Sequence, residues 1–103
     1  MNIDGVRQAW QKLADRADLI GKEVIFENRI GDCVDRGTIS RIRIDGDHVV
    51  IESPEIAAAH IAGNAWAPNI RFKIEEDRTP DLIGDTIFCD LDDNYRQIQI
   101  RTI

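Results

Sequence analysis

Apolar residues along this chain recur first with the spacing of a helix and then, over most of the remaining length, with the spacing of strands. Val6, Ala9, Trp10, Leu13 and Ala17 return every three or four positions, while Arg7, Gln11, Lys12 and Asp15 lie mostly off that stripe. This spacing predicts an amphipathic helix over about 4–19, capped by Asp4 and stopped by Gly21 in a left-handed conformation. Trp10 is the largest apolar group on the stripe and is expected to anchor the helix across an open sheet edge or barrel end.

From Lys22 to Ile30 the period becomes two, with Val24 and Phe26 on one face and Glu23, Ile25 and Glu27 on the other. Residues 30–37 read as a turn with a bulged strand start, and Thr38 to Ile44 as one long strand. Asp45-Gly46 predicts a hairpin into His48–Glu52. Ser53-Pro54-Glu55 then supplies a cap, a proline at the first helical position and an acid in the first turn of a short helix near 54–62, closed by Gly63. Further strands are expected at Ile70–Ile74, Thr86–Asp90 and Tyr95–Thr102, with an acidic connector before the second and a turn over Leu91–Asn94 before the third.

The count is six strands and two helices, and 17 isoleucines with 5 valines supply a β-branched core. The expected fold is mostly β, a β-rich α+β domain built as a small curled antiparallel sheet or a partly open barrel. In strand count and order it resembles an SH3-like or Sm-like barrel with an N-terminal helix added. Residues 1–103 read as a single domain, the helix packed on a barrel-like core over about 22–103.

Charge changes this picture most. Glu75, Glu76, Asp77, Asp81, Asp85, Asp90, Asp92 and Asp93 share a window with one base, Arg78, while the other residues hold 12 bases and 11 acids, so the net charge of −6 resides in that window. Such a concentration steers basic partners and repels nucleic acid phosphate. Arg41 and Arg43 share a strand face, with Arg29, Arg36, Arg71 and Lys73 elsewhere, and could form a nucleic-acid surface with Phe72 and Tyr95; pairing with acids such as Glu52 is the alternative. Nucleic acid is not the expected partner.

Cys33 and Cys89 are expected to be separate thiols of a reduced, cytoplasmic protein, with a disulfide as the alternative. No signal peptide and no bilayer-spanning apolar run is read. Asp90, Asp92, Asp93 and Asn94 gather oxygen ligands in one turn but lack the glycine and distal glutamate of a calcium loop, and His48, His60, Cys33 and Cys89 lack the pair spacing of a zinc site. No metal or cofactor is expected. Cys33 or Ser53 with a histidine and an aspartate, or Glu52 with Glu55, are the only nominees for catalysis and carry no supporting signature, so an enzyme is not the expected class.

Trp66 lies in a loop between Gly63 and Pro68, beside small residues. The reading is a noncatalytic binding module, expected to be a homodimer, in which Trp66 with Phe72 and Tyr95 forms an apolar pocket and Asp77, Asp81, Asp92 and Asp93 steer an organic cation or a basic protein partner towards it. The alternatives are an acidic DNA-mimic or inhibitor, a nucleic-acid-binding small barrel and a small hydrolase-like enzyme.

Overall fold

Alternation along the strands sorts side chains into an isoleucine-rich interior and a charged exterior, and two open sheets result. The computed structural model describes residues 2–30, 33–92 and 96–103. Helix α1 (Ile3–Ala14) is followed by a short 3-10 turn over Ala17–Leu19, strands β1 (Glu23–Asn28), β2 (Cys33–Thr38), β3 (Arg41–Asp45) and β4 (His48–Glu52), helix α2 (Pro54–Ile61), and strands β5 (Ile70–Lys73), β6 (Asp81–Ile83), β7 (Thr86–Asp92) and β8 (Arg96–Arg101). Every strand pairing is antiparallel. One sheet has the order β2-β1-β8-β7-β6 and the other β3-β4-β5.

The expected curled sheet or SH3-like/Sm-like barrel of about six strands is therefore corrected to an α+β fold in which the described residues form eight strands in two sheets that do not close. Two strands escape the sequence reading for physical reasons. Strand β2 turns Cys33, Asp35 and Gly37 inward, opposite Asn28, Phe26 and Val24 of β1, so its inner face has no hydrophobic period. Strand β6 has three residues, all exposed, and lies inside the acidic connector. The long strand expected from Thr38 to Ile44 is broken by a corner at Ile39 and Ser40, where the chain leaves one sheet and enters the other. Ile39 exchanges backbone hydrogen bonds with Gly21 and Lys22, and the Ser40 amide donates to the Glu52 carbonyl at 2.8 Å.

Helix α1 ends at Ala14, five residues short of its expected limit, and its cap is Asn2, whose side chain accepts from the Gly5 amide at 2.9 Å. Its Val6 and Trp10 are buried with inward residues of both sheets, among them Val24 and Ile98 of the larger and Val49 and Phe72 of the smaller. Trp10 is 1% exposed and meets Phe72 edge to face, with ring centroids 5.1 Å apart. This is a favoured aromatic geometry that adds to the area both rings bury. Arg7 also donates to the Gly46 carbonyl, tying α1 to the β3–β4 turn.

Helix α2 is fastened to β2 by its first turn. The Thr38 amide and hydroxyl both donate to Glu55 Oε1, at 3.0 and 2.6 Å. The approach is close enough that a Cβ on Gly37 would lie 2.1 Å from Ser53 Oγ. Among the described residues the buried Ser53 hydroxyl finds no hydrogen-bond partner.

These contacts predict that Gly37→Ala lowers the free energy of unfolding in urea by about 1–3 kcal/mol, the cost of overpacking a filled site. Ser53→Ala alone is expected to be neutral or mildly stabilising, since it removes an unsatisfied hydroxyl. The double variant should recover part of the Gly37→Ala loss; a purely additive result would place the strain elsewhere.

Candidate functional site

The residues with binding chemistry fall on three surfaces, and the structure redistributes those expected to act together. Phe72 alternates inward with Ile70 on β5, is 3% exposed and packs on Trp10. Trp66 is 81% exposed in the loop after α2. The two aromatic rings are therefore not brought into one pocket. Tyr95 and Asp93 lie outside the described residues, and Asp92 is described only through its backbone, which pairs with Arg96 beyond an irregularity at Asp90/Asp92.

Trp66 borders a pocket of about 280 Å³ with Phe26, Cys33, Asp35, Arg71 and Arg96. Its indole Nε1 donates to Cys33 Sγ at 2.7 Å, which holds the loop against β2. Cys33 and Asp35 are two apart on the strand and share its inner face, and partial burial pushes the Asp35 carboxyl above the ordinary carboxylate range. Arg71 is already paired with Asp45 at 2.9 Å, and that bond holds the Asp45 carboxyl below its usual range.

The acids are collected elsewhere. The alternation that buries Ile87, Cys89 and Leu91 of β7 turns Phe88 and Asp90 to the outer face of the larger sheet. There Asp81 of β6 stands directly opposite Phe88, and Asp90 opposite Gln97 of β8. Asp77 comes from a turn in which it holds a φ of 60°, closed by the Arg78 amide donating to the Glu75 carbonyl at 3.3 Å. Asp77, Asp81 and Asp90 line one cavity of about 420 Å³ with Phe88, Gln97 and Arg78, and hydrogen bonding to a cation holds the Asp77 carboxyl below its usual range. Gln97 Nε2 donates to Asp90 Oδ1 at 3.3 Å, while Gln99 Nε2 donates to Gln97 Oε1 at 3.1 Å and to Glu27 Oε1 at 3.5 Å, which fixes the amide edge of this cavity.

Among the described residues, no three histidine, cysteine or acidic side chains converge as ligands for a metal ion. What the cavity over Phe88 can do is surround a larger cation, with carboxylates at the rim and a ring on the floor. Phe88 and Asp90 were legible as outward residues from the Ile87, Cys89, Leu91 alternation. Their meeting with Asp77 and Asp81 depends on β6, which has no sequence signal.

Cys89 fastens the connector to this cavity from below. Its thiol donates to the Arg78 carbonyl at 3.3 Å. Burial, and then the charges of Asp90 and Asp81, push its pKa up to about 12. The two cysteines are unpaired. Their strands β2 and β7 are separated by β1 and β8, three spacings or roughly 14 Å, beyond the reach of a disulfide.

Several of the other nominated groups are engaged in structural contacts. On the outer face of the smaller sheet, Arg41 and Arg43 meet Glu52 at 4.0 and 3.5 Å, and Arg43 meets Asp45 at 3.7 Å. Val50 stands between Arg43 and Arg71 in the register and is fully covered. His48 bonds to Asp47, and His60 to the Ala65 carbonyl. The chain matches no protein-family model, no curated protein and no solved structure. No described helix is long and apolar enough to cross a membrane.

The state of Cys89 gives a pH prediction. Below its unfolded pKa of 9.0 the thiol is neutral in both states and its contribution to stability is complete. As pH rises from 9.0 towards about 12 the unfolded chain ionises first, so stability falls across that window. Urea unfolding should show a steeper alkaline decline in the native sequence than in Cys89→Ala; equal slopes would mean that the thiol ionises alike in both states.

Proposed function

We propose that this chain is a noncatalytic interaction module that captures a cationic side chain of a basic protein partner in the cavity over Phe88. The observation that carries the reading is the meeting of Asp77, Asp81 and Asp90 with Phe88 in a single cavity. A lysine or arginine entering it gains from the ring quadrupole and from the carboxylates of Asp81 and Asp90, and the acidic window raises the rate of encounter. The capture residues are thus Phe88 and Asp90 with the expected Asp81, and the expected Asp77 borders the cavity. Trp66 serves as a separate contact on the far side of Arg96, which lines both its pocket and the neighbouring cavity of Glu75, Glu76 and Arg78. Two unpaired thiols agree with a reducing compartment, and the encounter is assigned to the cytoplasm.

A fluorescein-labelled peptide of six lysines, followed by polarisation at low and at high salt, tests this. Binding should weaken with salt, and Phe88→Ala should weaken it roughly 2–30-fold, the range of one cation–ring contact. Asp81→Asn should weaken it several-fold, whereas Asp15→Asn, at the C-terminal cap of α1, should leave it unchanged. Equal losses from Asp15→Asn and Asp81→Asn would reduce the effect to net charge and remove the site.

A further inference from the structure

Among the described residues, strand β6 is the end strand of the larger sheet, and its outward backbone groups face no further described strand. Its three residues divide between two different surfaces. Asp81 and Ile83 belong to the outer cavity that holds Phe88 and Asp90. Leu82, opposite Ile87, turns to the inner side, where it lines a groove of about 510 Å³ against α1 with Ala9, Leu13, Pro80 and Ile87. Leu82 and Ile83 are 63% and 64% exposed, an apolar edge open on both faces.

An extended chain laid beside β6 would place alternate side chains on these two surfaces, because strand neighbours point to opposite faces. We propose that the basic partner docks by adding a strand to the β6 edge, and that its docking segment alternates cationic with aliphatic residues. This rests on the cation-capture reading above and adds the backbone geometry and the second, apolar half of the recognition. The cationic residues fall beside Asp81, Asp90 and Phe88; the aliphatic residues enter the groove between Leu82 and Leu13. Main-chain hydrogen bonds to β6 supply affinity, and the two surfaces supply the period. The edge is short and carries an aspartate, a combination that discourages indiscriminate strand pairing. Lys12 and Arg16 also line the groove, so cations are disfavoured on that side and the register of the alternation is set by charge on both faces.

Three capped peptides of equal charge separate the outcomes: one alternating lysine and valine, one with the same residues in two blocks, and the alternating peptide with its central amides N-methylated. The alternating peptide should bind about tenfold more tightly than either control, as expected for one or two lost main-chain bonds together with the lost valine contacts. Leu82→Asn, which leaves the charge unchanged, should remove that advantage while leaving the block peptide unaffected, and Phe88→Ala should weaken both. Equal affinity of all three peptides, with the Phe88→Ala loss retained, overturns strand addition and leaves cation capture standing. Absence of salt-sensitive binding by any of them overturns both. A protein that sediments as a dimer and becomes a monomer on Leu82→Asn would show the edge filled by a second copy, which also overturns the proposal.

Discussion

Burial of Trp10 against Phe72 is the contact on which the rest of the arrangement depends. It joins the one long helix to the inner face of the smaller sheet, and the larger sheet adds Val24, Ile98 and Ile100 to the same core. With α1 committed to β3 and the β3–β4 turn, that helix is not used to cover the outer face of the larger sheet. That face has to be satisfied by its own side chains, which explains its rows of carboxylates and amides and the absence of a continuous apolar surface. The surface chemistry is in this sense a consequence of where the helix is used.

Much of this was legible in the sequence wherever one face of an element is uniformly apolar. The α1 stripe, the β1 alternation around Val24, the Asp45-Gly46 turn and the Pro54 helix start all carry local signals that agree with their setting. Strand β2 was not legible, because its inward Cys33, Asp35 and Gly37 are small or polar and its outward Val34 reverses the usual pattern. Strand β6 is shorter than any period that could reveal it. The site suffers from the same two gaps. Phe72 could have been assigned to the core from its alternation with Ile70 and Ile74, while the grouping of Asp77, Asp81 and Asp90 requires a strand pairing that no local pattern encodes.

Charge is organised differently on the two sheets. On the smaller one, Arg41, Arg43 and Arg71 pair with Glu52 and Asp45 while Lys73 shares their face and the covered Val50 sits among them, so the exterior keeps a small positive excess and its arginine stems act partly as packing. On the larger one, the carboxylates near β6 outnumber nearby cations. A protein with a modest total charge thereby presents one weakly basic wall, largely ion-paired, and one acidic wall, and these call for different partners.

The corner at Ile39 and Ser40 has a mechanical consequence. Because consecutive residues are hydrogen-bonded to Lys22 at the entry to one sheet and to Glu52 at the end of a strand in the other, the sheets cannot glide over one another on their side chains alone. Relative shear would have to break backbone bonds at that seam, which opposes sliding of one layer over the other. The two sheets are thereby joined through the backbone as well as through their packed side chains.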